Sequence, residues 1–179
     1  MAKKVADQLV DTLEKAGVRR IYAVTGDSLN EVNEAVRKNG RLRWIHVRHE
    51  ETGAYAAAAE AQLTGELACC AGSSGPGHVH LINGLYDAQR SGARVLAIAS
   101  TIPSREFGTE YFQETNTIKL FDDCSYYNQV ATTPEQFPRM LQGAMQAAIS
   151  SCGVGVIGLP GDLAAENATA GLSLSLIHI

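Results

Sequence analysis

The chain has 179 residues, of which 45% are hydrophobic and 19% charged, and its formal net charge is −4. This length fits one domain that buries most of the surface its unfolded chain exposes. The charge balance and the lack of a basic run argue against nucleic-acid binding, and no apolar run has the length of a membrane span. The first residues do not make a signal peptide, so we expect a cytoplasmic protein.

Helical and strand patterns alternate along the chain. The predicted helices cover residues 5–16, 29–39, 51–63, 80–90 and 134–150, the last with Pro134 in or near its first turn. A further short helix is predicted over 112–121. The predicted strands cover residues 21–24, 44–47, 67–71, 94–100, 126–131 and 154–159. Strands that are apolar on both faces and separated by helices indicate a parallel sheet covered on both sides. We therefore predict an α/β fold with a doubly wound, six-stranded, mainly parallel sheet and helices on both faces.

This pattern stops near residue 165. We predict one domain over residues 1–165 and a tail over 166–179 that is not native, because its last residues, LSLIHI, are typical of a translated sequencing adapter. On this interpretation the chain is the N-terminal piece of a longer protein. Cys69 and Cys70 are adjacent in an apolar strand and point to opposite faces, and Cys124 and Cys152 are isolated. We therefore expect all four cysteines to be buried, reduced thiols, with no zinc site.

The stretch WIHVRHEETGAYAAAAEAQ, residues 44–62, runs from an apolar strand directly into an alanine-rich helix. Glu50 lies at this junction, where open α/β sheets bind their ligands. The helix dipole favours its anion, whereas burial against the alanines favours its acid form. These opposing influences make Glu50 a candidate for proton chemistry. A glutamate that merely stabilises the first turn of its helix is the alternative.

Residues 72–78 are predicted to form a glycine-rich loop after the third strand. Gly75 and Gly77 flank Pro76, which suits either a tight turn against a flat ring or a purely structural turn. The spacing is neither a dinucleotide fingerprint nor a P-loop. His78 and His80 would point in different directions on a helix, so we predict no metal site, with His80 behind the loop or in a pocket.

Two further features have both a structural and a functional interpretation. Asp27 follows the first strand and could cap the next helix or face a ligand. The alanines at 54, 56–59 and 61 could reflect helix propensity, or they could let another helix approach closely, for example at a subunit interface.

Four segments together resemble one family. AVTGDSLN (23–30), RHEETGAYAAAAEAQLTG (48–65), AGSSGPGHVHLINGLYDA (71–88) and YFQET (111–115) are similar to the N-terminal pyrimidine-binding domain of thiamine-diphosphate enzymes. The resemblance covers about residues 4–165 and is strongest to the flavin-linked pyruvate oxidases that pass electrons to quinone. It implies the thiamine-diphosphate-binding fold and makes Glu50 the glutamate that hydrogen-bonds N1′ of the aminopyrimidine ring. That bond prepares the ring to remove the thiazolium C2 proton. A carboxyl in a dry pocket, directed at a ring nitrogen, meets this physical requirement.

The resemblance also implies which loops contact the cofactor. The matching positions are Thr25 and Gly26 after the first strand, and Ser73, Pro76 and His80 around the glycine-rich loop.

Phe112 and Gln113 match the segment that faces the substrate and, in the oxidases, the flavin edge. Asp27 matches an acid used by related decarboxylases. Those decarboxylases carry a His-His pair where this chain has Gln113-Glu114, which favours oxidation or ligation over simple decarboxylation. Ala23 replaces a frequent glycine and affects only local packing.

The implied cofactors are thiamine diphosphate and, in the full-length enzyme, Mg²⁺ and FAD. The implied partners are pyruvate, further copies in a dimer or tetramer, and the missing diphosphate-binding and flavin domains. We expect no nucleic-acid partner and no activity of the fragment alone. Any membrane contact, such as peripheral attachment of the full-length enzyme to the inner membrane, would be made through the absent parts. The alternatives are an acetolactate-synthase-type enzyme, a separate pyrimidine-domain subunit, and an unrelated doubly wound nucleotide-binding module.

Overall fold

The computed structural model describes residues 2–169. Six parallel strands form one sheet in the order β2-β1-β3-β4-β6-β5. The strands are β1 Arg20–Ala23, β2 Arg43–His46, β3 Ala68–Gly72, β4 Val95–Thr101, β5 Tyr127–Val130 and β6 Val154–Pro160. The helices are α1 Val5–Lys15, α2 Asn30–Asn39, α3 Glu50–Thr64, α4 Pro76–Val79, α5 Ile82–Ser91, α6 Thr117–Leu120, α7 Phe137–Ser150 and α8 Gly161–Ala165. The predicted doubly wound sheet with helices on both faces is confirmed.

Two apolar clusters lie on the two faces of the sheet. One contains the buried side chains of α1, α2 and α7, and the other contains those of α3 and α5. Cys69 belongs to the first cluster and Cys70 to the second, as expected for neighbours on a strand. Burial raises the pKa of Cys70 to about 12, so its thiol stays protonated at neutral pH. The expectation of buried thiols is wrong for Cys152, which is exposed in the turn after α7.

The alanine-rich face of α3 packs closely against α5 of the same chain. A Cβ placed on Gly84 of α5 would lie 2.5 Å from Cβ of Ala54 and 2.8 Å from the backbone nitrogen of Tyr55. Small residues on both helices therefore bring the two backbones together. Ala54, Ala57, Ala58 and Ala61 share one apolar cluster with the buried residues of α5, whereas Ala59 is exposed.

Three local predictions were wrong. The glycine-rich loop contains the short helix α4, with Pro76 at its first position, where the missing N–H of proline costs nothing. Helix α7 begins at Phe137 and has Pro138, not Pro134, in its first turn. Within residues 112–121 only Thr117–Leu120 is helical, and the short helix α8 was not predicted.

The described part of the predicted tail packs on the start of the chain. The backbone nitrogen of Val5 donates to the carbonyl of Glu166 at 2.9 Å, and that of Ala168 donates to Lys3 at 2.8 Å. The predicted boundary at residue 165 stays a prediction, and most of the tail (170–179) lies outside the described residues. Within residues 2–169, no helix combines the length and apolar character that crossing a membrane requires.

Candidate functional site

The candidate site lies where the winding of the sheet reverses, between the carboxyl ends of β1 and β3. Strand β1 pairs with β2 on one side and with β3 on the other, and such a switch point opens a crevice at the sheet edge. A Cβ on Gly26, after β1, would lie 2.4 Å from Cβ of Ser73, after β3. The loops that follow β1 and β3 therefore touch, and α3 begins beside them.

Glu50 is the first residue of α3, and its side chain is only 11% exposed. Its Oε2 lies 3.0 Å from Nδ1 of His80. Its Oε1 accepts no hydrogen bond within residues 2–169 and lies 3.4 Å from where a Cβ on Gly77 would be. One carboxylate oxygen is thus held by a histidine, whereas the other remains available to a ligand at the helix amino end.

His49 and His80 stack beside Glu50, with ring centroids 4.4 Å apart and planes at 28°. Nδ1 of His49 also accepts from the backbone nitrogen of Glu51 at 3.3 Å, as a helix N-cap does. The possible ligand atoms of His49, Glu50 and His80 all lie within 4.8 Å of one another. Nδ1 of each histidine is already engaged within the chain, that of His49 by the nitrogen of Glu51 and that of His80 by Oε2 of Glu50.

Glycines keep the crevice open next to Glu50. A Cβ on Gly72 would lie 2.4 Å from the carbonyl oxygen of Gly77, and one on Gly77 would lie 2.8 Å from Oγ of Ser73. Gly75 has φ +65°, in the left-handed region that glycine adopts without strain. The turn from Gly72 to Gly77 is therefore built from close backbone contacts, which suits a flat ligand more than a bulky one.

His78 has a structural position that the sequence did not indicate. It is fully buried, with Nδ1 2.7 Å from the carbonyl oxygen of Ser100 and Nε2 2.6 Å from Oγ1 of Thr115. Nδ1 must donate to the carbonyl, and in the neutral ring Nε2 then accepts from the threonine hydroxyl. Burial lowers the pKa of His78, although the bond to Ser100 acts in the opposite direction.

We expect the His78→Gln variant to be less stable than the wild type near neutral pH and to lose less stability on acidification. The pKa of His78 is lowered on folding, so the unfolded chain binds its proton first. The stabilisation is present above the unfolded pKa of about 6.5 and is lost as pH falls from there through the folded pKa. Urea unfolding of both proteins at about pH 7.5 and pH 5.5 measures this. Equal losses of unfolding free energy in the two proteins would rule the effect out.

The segment between β4 and α6 covers the crevice from the other side. The backbone nitrogen and hydroxyl of Ser104 donate to Asp162 at 2.9 and 2.8 Å. Burial raises the pKa of Asp162, but these bonds outweigh it and hold the pKa below its ordinary value. Farther along, Oγ of Ser74 lies 2.8 Å from Oε1 of Gln113, and Gln113 also packs against Gly75. The segment is thus attached at both α8 and the glycine-rich turn.

Two clefts border this segment. The larger cleft has a volume of about 540 Å³ and is lined mainly by apolar groups and hydroxyls, including Ile102, Phe107 and Thr117. The smaller cleft has a volume of about 170 Å³ and lies between Asp27 and Tyr111. Gln113 lines both clefts.

The structure brings most of the predicted site residues to one edge of the sheet. Around the crevice lie the residues Gly26, Glu50, Ser73, Pro76 and His80. Thr25 is exposed in the same loop as Gly26. Asp27 does not cap α2; its Oδ1 accepts from the nitrogen of Ser28 in the 3₁₀ turn that precedes the helix.

Phe112 is 81% exposed and lies on the segment that Gln113 anchors to Ser74. Sequence reasoning missed the contributions of His49, Ser74 and His78. His49 directly precedes Glu50, so its proximity was available from the sequence. The other two act through partners distant in the chain, for which no local signal exists.

The fold and the site define a class of cofactor-binding domain, and the comparison with known families identifies it. Residues 3–120 match the thiamine pyrophosphate enzyme family, N-terminal TPP binding domain. The chain belongs to this family.

The curated relatives include one uncharacterized protein and two enzymes with different names. An uncharacterized 42.6 kDa protein of the isoamylase 3′ region of Pseudomonas amyloderamosa is 55% identical over 167 residues, covering 93% of this chain and 42% of that protein. Pyruvate oxidase of Lactiplantibacillus plantarum is 38% identical over 156 residues, covering 87% and 26%. Acetolactate synthase 3 of Brassica napus is 33% identical over 148 residues, covering 83% and 23%. The chain therefore spans less than half the length of these relatives.

Proposed function

We propose that this chain is the cofactor-binding N-terminal domain of a pyruvate:quinone oxidoreductase, which oxidises pyruvate to acetate and carbon dioxide. The observation that carries the proposal is Glu50, largely buried at the start of α3, whose Oε1 lies beside the glycine-lined crevice and accepts no hydrogen bond from residues 2–169. The 38% identity to a pyruvate oxidase supports pyruvate as the substrate. The Gln113-Glu114 pair, in place of two histidines, supports oxidation over simple decarboxylation.

The residues present fit thiamine diphosphate. Gly26 and Gly77 occupy positions where any Cβ would meet Ser73, so the crevice keeps the narrow shape that an aminopyrimidine ring needs. When bound, the cofactor supplies the carbon nucleophile that attacks the keto carbon of the substrate. The residues proposed to contact it are Thr25, Gly26, Glu50, Ser73, Pro76 and His80.

Glu50 would share a proton with the ring nitrogen N1′ through Oε1 and exchange that proton during each cycle. His80 holds Oε2 and thereby fixes the direction in which Oε1 points. The half-exposed His80 and His49 separate the carboxylate from bulk water. Phe112, Gln113 and Asp27 would face the substrate or the flavin from the opposite side of the glycine-rich turn.

The complete enzyme would also need parts outside this chain. We propose that Mg²⁺ and FAD bind to diphosphate-binding and flavin domains downstream, and that two or four copies assemble. The same proposal places the enzyme in the cytoplasm, with any membrane contact made by those other domains. The present chain by itself would be inactive.

Acetolactate synthase activity is the second candidate, because a plant acetolactate synthase is 33% identical. Both reactions begin with pyruvate and carbon dioxide release. They differ in the next step: the oxidase passes two electrons to an acceptor and adds water to give acetate, whereas the synthase adds a second pyruvate.

The intact enzyme, expressed with its native downstream sequence, distinguishes these reactions when it is given pyruvate, thiamine diphosphate, Mg²⁺ and FAD. We expect one acetate and one reduced quinone for each pyruvate, and no acetolactate. Formation of acetolactate without reduction of quinone would contradict the oxidase proposal and favour the acetolactate synthase activity. No pyruvate consumption by the intact enzyme would overturn both.

A further inference from the structure

The hydroxyl of Ser74 is buried and has one side-chain partner. Ser74 is 2% exposed, and its Oγ lies 2.8 Å from Oε1 of Gln113. Its backbone nitrogen is held separately, because it donates to Oγ of Ser28 at 2.9 Å. Within residues 2–169 the hydroxyl of Ser74 has no other acceptor. A buried hydroxyl hydrogen without a partner is costly, so Ser74 donates and Oε1 of Gln113 accepts.

This bond decides which way the amide of Gln113 faces. With Oε1 turned toward Ser74, the NH₂ group points away from it, and it makes no hydrogen bond to any residue in the described part of the chain. The backbone of Gln113 is held as well, since a Cβ on Gly75 would lie 3.2 Å from its Cα. Gln113 therefore presents two N–H donors from a fixed position.

Those donors lie at the boundary between the larger and the smaller cleft, both of which Gln113 lines. An NH₂ group can only donate, so the ligand atom that it binds must be an acceptor, such as a carboxylate or keto oxygen. If the amide turned over, its carbonyl oxygen would repel such an atom. The direction of the amide thus decides whether the site accepts a 2-oxo acid.

We propose that Ser74 is a positioning residue that fixes the Gln113 amide with its donors toward the oxygen atoms of a 2-oxo acid substrate. The inference rests on the proposed function, because the 2-oxo acid substrate is taken from that proposal. It assigns Ser74 no contact with the reacting atoms.

A double-mutant cycle in the intact enzyme tests this inference, with Ser74→Ala, Gln113→Met and both together assayed on pyruvate. We expect Ser74→Ala to raise KM for pyruvate about 5-fold, the effect of about one hydrogen bond, and to leave the activation constant for thiamine diphosphate unchanged. In the Gln113→Met background the same change should leave KM unaltered, because Ser74 acts through Gln113. Ser74→Cys, of similar size but with a weak donor, serves if the alanine variant does not fold.

Ser100→Ala is the matched control. The single hydroxyl hydrogen of this buried serine is shared between the backbone carbonyls of Ser28 and Leu159, its acceptors within residues 2–169, so its loss should lower Tm without raising KM. An unchanged KM in Ser74→Ala, or an equal rise in the presence and absence of Gln113, overturns the inference while the proposed function stands. A wild-type enzyme that consumes no 2-oxo acid overturns the proposed function itself.

Discussion

Replacing Glu50 by glutamine is expected to reduce turnover of the intact enzyme on pyruvate by about 100-fold or more, the usual range for a lost general acid–base group. Glutamine keeps the size of the side chain and its fit against Gly77, so the protein should fold. What it loses is the ability to exchange a proton at Oε1. Steady-state turnover at saturating thiamine diphosphate, with a thermal melt for folding, measures both properties.

Glu51 provides a matched control for this variant. It is the next residue of α3, also acidic, and its Oε1 accepts only a long bond of 3.3 Å from Nδ2 of Asn83. Since the partners of the Glu51 carboxylate are Asn83 and His49 and no residue of the glycine-rich turn, Glu51→Gln should keep turnover within about 2-fold of the wild type. A Glu50→Gln enzyme as active as this control would remove Glu50 from the mechanism.

The second large effect is expected for Gly72→Ala. The added Cβ would lie 2.4 Å from the carbonyl oxygen of Gly77 and 2.6 Å from Cα of His78, both backbone atoms. The turn must therefore move as a whole, which should lower the free energy of unfolding by about 1–3 kcal/mol. It should also weaken binding of thiamine diphosphate, because the displaced turn lines the crevice beside Glu50.

Gly143→Ala in α7 is the control for the effect that replacing any glycine by alanine has on stability. Its Cβ would meet only the ring of Tyr127, at 3.0 Å, and alanine in a helix adds roughly 1 kcal/mol of propensity. Chemical unfolding and cofactor titration of both variants provide the comparison. If Gly72→Ala bound the cofactor with wild-type affinity, the turn could not be part of the site.

The elements that the sequence predicted well are those with a strong local pattern. The apolar run of β4 and the strand-to-helix junction at Glu50 are determined by neighbouring residues, so both elements, and the position of Glu50 at the carboxyl ends of the strands, could be inferred. A mainly parallel sheet was predicted from strands apolar on both faces, and all six strands of the structure are parallel. The glycine-rich turn was also recognised, although its four-residue helix α4 is too short to leave a periodic signal.

The rest depends on contacts between distant parts of the chain. Ser74 and Gln113 are 39 residues apart, and His78 and Thr115 are 37 apart. Nothing next to Ser74 or His78 in the sequence indicates these partners. Close approach of another helix was one of two interpretations of the alanines of α3, and only the folded chain identifies α5 as that helix, through Gly84.

Exchange of the C2 proton of bound thiamine diphosphate for deuterium is the measurement that addresses the role of Glu50 most directly. It reports the first proton transfer alone, independently of substrate, flavin and quinone, when wild-type and Glu50→Gln enzymes are compared with cofactor bound to both. We predict exchange about 100-fold or more slower in the variant. Equal exchange rates in the two saturated enzymes would show that Glu50 does not activate the cofactor.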